Sequence, residues 1–155
     1  MGTEMNDFEK ILIGALLGAF LTYVPRFLAN KQKLAAHRAL LCIEIEKCLQ
    51  MSNTYLTDNV QAPAYRLPSL GLAQSIPQIP SIGTISGTQI AAIQDFYIEV
   101  AALNRGLDQA DKQIGIDGRL EQEYKRNLLK SKNIVVRHEK AKQAAELITK
   151  WPWIV

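Results

Sequence analysis

Residues that carry chemistry are scarce in this chain. Its 155 residues include only two histidines and two cysteines. Neither His37 nor His138 stands in an HExxH or ExxH pattern, so zincin and di-iron bundle sites lack their ligands. Cys42 and Cys48 fall in a helical pattern, six positions apart. That separation turns a helix through about 240° and rises about 9 Å, too far for a disulfide within it. Both are expected to be small apolar fillers in a reducing compartment. P-loop, Rossmann-glycine and GxSxG patterns are missing as well. No catalytic, metal or cofactor residue is nominated, and a non-enzymatic protein without a cofactor is expected.

Aromatic residues make up 7% of the chain, and none interleaves with basic residues as a nucleic-acid platform requires. The net charge of +3 suits an anionic membrane leaflet but is too weak to argue for nucleic acid. With 48% apolar and 21% charged residues, the composition is that of a folded protein. No internal repeat is present.

Charge is wholly absent from Ile11–Val24, and the rest of the chain is organised around this run. Its 14 residues fall short of a membrane span, which needs about 17–25. Past Pro25 the apolar character resumes with Phe27, Leu28 and Ala29, and Arg26 can snorkel to the headgroups. Phe8 to Ala29 is then 22 residues, with Phe8, Tyr23 and Phe27 near its ends. A cleavable signal peptide fits poorly, because Glu4, Asp7 and Glu9 oppose Lys10 and no small-x-small site follows. Asn6 argues against myristoylation of the leading Met-Gly. The competing reading is the buried helix of a soluble protein.

Arg26, Lys31, Lys33 and Arg38 follow the run, and only Lys10 precedes it. This bias predicts an inner (cytoplasmic) membrane protein with its N-terminus outside and its helical domain in the cytoplasm. Gly14, Gly18 and Thr22 place small residues on one face of the span, the pattern through which membrane helices approach closely. Self-association through that face is weighed evenly against the common occurrence of glycine in membrane helices.

From Lys31 to Leu56 the pattern is helical, with Leu34, Leu41, Ile45, Cys48, Leu49, Ser52 and Leu56 on one stripe and Glu44 expected mostly elsewhere. Pro25 removes a backbone donor and is expected to bend one long rod where the membrane ends, making this segment a juxtamembrane stalk. Between Thr57 and Gly87 four prolines and three glycines forbid a long helix. Ile76, Ile79, Ile82 and Ile85 recur every third residue, the period of a polyproline II helix, and so would line one edge. That edge either docks a partner or folds back to cover the chain's own core, and the second reading is preferred. Tyr65–Pro68 is another extended segment, to which no role is assigned.

Ser86 and Gln89 have capping-box spacing, and Ile90, Ile93, Tyr97, Val100, Leu107 and Ile114 continue a helical stripe toward the turn at Gly115–Gly118. Gly106 inside that helix either admits a close neighbour or marks a kink. Asn104, Asp108 and Asp111 share a face, as do Asp95 and Glu99; a solvated face is preferred over a cation site. A last helix runs from about Arg119 to Lys150, with Leu120, Tyr124, Leu128, Ile134, Val135, Ala141, Ala145 and Ile148 supplying apolar contacts. Arg126, Lys130, Arg137 and Lys140 on its polar side are candidates for an anionic surface, against the commoner reading of a solvated face. Trp151 and Trp153 close the chain. Docking on the core ranks first for them, then a protein partner, then lipid, because alternating helices would leave this end far from the membrane.

The fold class expected is all-α: a single N-terminal transmembrane helix, then an antiparallel bundle of three long helices with a long Pro-rich loop. Residues 1–29 form the tail and anchor, 30–56 the juxtamembrane helix, 57–87 the loop and 88–155 a helical hairpin with its tryptophan tail. Residues 30–155 together make one helical domain. The function expected is a membrane-anchored interaction or scaffold protein that self-associates, binds a protein partner and binds no nucleic acid. The alternatives are a sensor with its domain outside the cytoplasm, or a membrane-perturbing effector of the lysis or toxin type.

Overall fold

The computed structural model describes residues 6–114 and 118–148. Among them are five helices and no strand: α1 (Asp7–Thr57), α2 (Leu70–Ser75), α3 (Ile79–Ile82), α4 (Gly87–Lys112) and α5 (Arg119–Glu146).

Helix α1 runs 51 residues without interruption and carries Pro25 inside it, a rod about 77 Å long at 1.5 Å per residue. Asp7 and Glu9 sit in its first turn, where the helix dipole favours negative charge, and Glu9 accepts from the Asn6 amide at 3.1 Å. Its two halves differ in kind. No residue of α1 before Leu34 is buried, whereas Leu34, Leu41, Ile45, Cys48, Ser52 and Tyr55 form a continuous core stripe. The stripe agrees with the helical spacing in the sequence. The segment Lys31–Leu56, expected as a juxtamembrane stalk, is itself packed into the core from Leu34 onward.

The segment after α1 retraces the helix it has just left. Tyr65 Oη donates to the Met51 carbonyl at 3.3 Å, and the Cys48 thiol to the Pro68 carbonyl at 3.3 Å. Gly71 N–H reaches Glu44, and Ser75 meets His37 at 3.2 Å. Each later residue meets an earlier one on α1, so the chain returns to the level of the first packed turns. Ile76–Ile85 is not polyproline II: α3 occupies its middle, and Pro80 at the second helical position gives up no needed donor.

Helix α4 opens as the sequence predicts. Ser86 Oγ accepts from the Gln89 amide at 3.2 Å, and Gln89 Oε1 accepts from the Ser86 amide at 2.6 Å. Ile93, Tyr97, Val100 and Leu107 are buried, joined by Phe96 and Leu103. Ile114 lies past the helix end and is exposed, so the stripe stops short of its predicted reach. Gly118 precedes α5 at φ 74°, a left-handed conformation that glycine adopts without strain.

Helix α5 fixes the direction of the others. Tyr124, near its start, stacks edge-on against Tyr55 with ring centroids 5.8 Å apart. His138, nearer its end, meets Glu46 at 3.1 Å. On its other side Asn127 lies against Gly106, and the Ala144 carbonyl accepts from Gln89 at 3.4 Å. Residue numbers on both α1 and α4 therefore fall as those on α5 rise. Helix α5 is antiparallel to both, and α1 and α4 run parallel to each other. An antiparallel arrangement of all three is thereby corrected. Its physical reason is the returning segment, which carries the chain back before α4 begins.

Candidate functional site

Two features stand apart from ordinary helix packing: the uncovered first half of α1 and a buried carboxylate in its second half. In the first half, Phe8, Ile11, Leu16, Leu17, Phe20, Leu21 and Tyr23 are each more than half exposed. The apolar stretch is long enough to cross a membrane, and no part of it is buried against the rest of the chain. Gly14 and Gly18 have open space where a side chain would stand. Thr22 Oγ1 donates to the Gly18 carbonyl at 2.8 Å, so its hydroxyl is satisfied within the helix. Pro25 cannot bond back to the preceding turn, which leaves one carbonyl without its usual helical donor. Arg26, Lys31, Lys33 and Arg38 are exposed just beyond.

The carboxylate is Glu44. It faces the core, although a charged residue was expected on the outer side. Gly71 N–H donates to its two oxygens at 3.0 and 2.8 Å, and Tyr97 Oη donates to Oε1 at 2.6 Å. One buried acceptor thus ties α1 to α2 and α4. Burial, then the hydrogen bond to Glu44, pushes the Tyr97 phenol far above its ordinary range. Burial, then the nearby Glu44 charge, pushes the Cys48 thiol up to about 12. The thiol stays protonated at neutral pH and lacks the thiolate that nucleophilic chemistry needs. This cluster acts as a polar staple between helices. Its signal was readable: Leu41, Glu44, Ile45 and Cys48 are spaced as one helical face.

The shared acidic face of α4 is occupied from within. Arg66 donates to Asp108 at 2.7 Å and also to Asp111. The Asn104 amide accepts from Leu67 N–H and donates to the Leu67 carbonyl, both at 2.8 Å, as a strand neighbour would. Tyr65–Pro68, to which the sequence alone assigned nothing, is therefore a strap on α4 whose own Leu67 is buried in the core. Asp95 and Glu99 face Arg137 at 3.7 and 3.5 Å. Among the described residues no group of three His, Cys, Asp or Glu could hold a metal ion.

The other candidates separate. Ile79 is fully buried, and Ile76, Ile82 and Ile85 pack half-buried against the same core. All four turn toward the chain itself. Arg126 pairs with Glu123 at 2.6 Å and Arg137 with the α4 acids, while half-buried Lys130 holds the Asn127 amide oxygen at 3.3 Å. Lys140 is exposed. Trp151 and Trp153 lie outside the described residues. The chain matches no protein-family model, no curated protein and no solved structure.

Proposed function

We propose that this is a non-enzymatic, single-pass membrane protein whose α1 spans the inner membrane from Phe8 to Ala29. It presents a three-helix domain on the cytoplasmic side, where that domain acts as an interaction scaffold. The observation that carries the reading is the contrast within one helix. From Leu34 onward one face of α1 is covered by the chain's own core, and no α1 residue before it is buried. Exposing seven or more large apolar side chains to water forgoes about 1.5–3 kcal/mol each, on the order of 10 kcal/mol in all. A bilayer removes that cost. Arg26, Lys31, Lys33 and Arg38 after the uncharged run, against Lys10 alone before it, support the cytoplasmic placement of the domain. Anchoring confines the domain to two dimensions and raises its effective concentration toward a membrane partner or a second copy.

The test uses the full chain. Carbonate-resistant flotation with lipid vesicles is expected, and a reporter fused after Val155 is expected to be active only on the cytoplasmic side. Release by carbonate would overturn the span. A reporter active only outside would overturn the orientation and favour a sensor-like role.

A further inference from the structure

Four buried side-chain atoms among the described residues have no hydrogen-bond partner: Ser52 Oγ, Gln113 Oε1, Asn127 Nδ2 and Ser131 Oγ. Gln113 stands at the end of α4. The other three belong to fully buried residues of α1 and α5, which pack against each other. A buried polar group left dry loses its hydration and gains nothing in return.

The register of α5 on α1 brings the three atoms to one level. Tyr55 stacks on Tyr124 and Glu46 meets His138. Between those two contacts, on antiparallel helices, Ser52 falls level with the turn from Asn127 to Ser131. Ser131 stands seven residues from both Tyr124 and His138, so one α5 face carries all three toward α1. Helix α4 gives the same level independently. Gly106, which lies against Asn127, is nine residues beyond Tyr97, and Ser52 is eight beyond Glu44, the partner of Tyr97 on the parallel helix.

Helical hydroxyls usually donate to the carbonyl four residues back, as Thr22, Thr54 and Thr57 do. Ser52 and Ser131 do not. The Asn127 oxygen is engaged by Lys130 at 3.3 Å, which leaves the amide nitrogen as a donor without an acceptor. Tyr55, one turn from Ser52, donates to the Gln61 carbonyl at 3.4 Å, and its oxygen can still accept. Burial pushes the Tyr55 phenol up to about 12, and the Asn127 amide near it acts the other way.

We propose that Ser52, Asn127 and Ser131 bind an internal water molecule that bridges α1 and α5, with Tyr55 Oη as a fourth partner. The water accepts from Asn127 Nδ2 and from one serine hydroxyl, and it donates to the other serine and to Tyr55. Buried waters make about three such bonds, within a range of 2–4. All four groups are neutral, which suits water rather than an ion. The bridge joins the two helices between the Tyr55–Tyr124 and Glu46–His138 contacts. It does not depend on α1 spanning a membrane, because every residue involved lies beyond Leu34.

Oxygen-17 relaxation dispersion counts waters held inside a protein, and exchanging hydroxyl protons do not disturb it. It is measured on the full chain in detergent micelles, for the parent and for Ser52→Ala/Ser131→Val, in which a methyl-bearing side chain fills the space. The dispersion is expected to fall by the amplitude of one water per chain, with helical circular dichroism unchanged. An equal amplitude in the two proteins overturns the proposal. Thermal unfolding of the alanine variants decides the matter even where the double variant does not fold. Ser52→Ala and Ser131→Ala should each lower Tm, and together by clearly less than the sum, because both lose the same water. Two variants that each raise Tm mean a dry seam, and two that lower it additively mean separately satisfied hydroxyls. Either result overturns the shared water.

Discussion

Replacing Gly106 with alanine should destabilise the packed helices, although the same change at an exposed helical glycine gains about 1 kcal/mol. A Cβ at this position would stand 1.9 Å from Asn127 Oδ1 and 2.8 Å from Asn127 Cγ. Asn127 is fully buried between α4 and α5 and has no solvent into which to retreat. Lys130 Nζ, 2.7 Å from the same point, is the end of a long chain and can move aside. Overpacking costs about 1–3 kcal/mol, and disturbing the hydrogen bonding of a buried amide costs about 1 more. After the helix-propensity gain, the net loss is about 1–3 kcal/mol, or roughly 3–9 °C in Tm for a domain of this size. The assay is thermal unfolding of the full chain in mild detergent, followed by circular dichroism at the helical band. Asn127→Ala should relieve the clash, so that Gly106→Ala in that background recovers the ordinary gain. The two changes should therefore couple by about 1–3 kcal/mol. A Gly106→Ala protein that is more stable than the parent, with the same increment in both backgrounds, would refute the close approach of α4 and α5.

Glu44→Ala strands the Tyr97 hydroxyl and the Gly71 amide in the core and should cost about 2–4 kcal/mol. Tyr97→Phe in the Glu44→Ala background should add little, and a fully additive double variant would sink the staple. Gly14→Ile with Gly18→Ile should abolish self-association in a reporter of membrane-helix pairing, and unchanged association would remove that face from consideration. The hydrogen bond from His138, then that from Lys142, holds the Glu46 carboxyl below its ordinary 4.5. Because the folded value is the lower one, its stabilisation is present above pH 4.5 and is lost as pH falls through the folded value. Glu46→Gln should therefore be less stable than the parent at neutral pH and should converge with it in acid. A difference independent of pH would refute the charge argument.

The helices were legible because their signals are local. The Ser86–Gln89 box set the start of α4, and the stripe from Leu34 to Ser52 set the packed face of α1. Glu44 was misplaced by its charge alone, since its spacing from Leu41 and Cys48 already put it on that face. The isoleucine repeat pointed to the right burial, on the chain's own core, but to the wrong backbone conformation. A period of three fits both polyproline II and a helical turn, and the decision came from burial of Ile79 against α1. The path of residues 58–86 was not legible at all. It is fixed by contacts that pair a side chain with a distant backbone: Tyr65 with Met51, Asn104 with Leu67 and Glu44 with Gly71. No periodicity encodes such pairs. The acidic face of α4 invited a cation-site reading because its partner, Arg66, stands 42 residues away from Asp108 in sequence.

The long connection and the direction of α5 are one fact viewed from two sides. A short turn after Thr57 would force the next helix to run antiparallel to α1, and the one after it to end far from Phe8–Ala29. Returning from Thr57 to the level of Leu34 along a helix axis covers about 35 Å, which an extended chain of about 10–11 residues could bridge. The connection has 29 residues between α1 and α4, well beyond that need. The surplus is spent on two short helices, a buried Leu67, a buried Ile79 and the Glu44 and Arg66 anchors. Each anchor ties the return path to the faces of α1 or α4, which resists the alternative in which α4 folds back directly. The parity of helix directions, and with it the end at which Ile148 arrives, therefore depends on side chains in the connection rather than on the helices it joins.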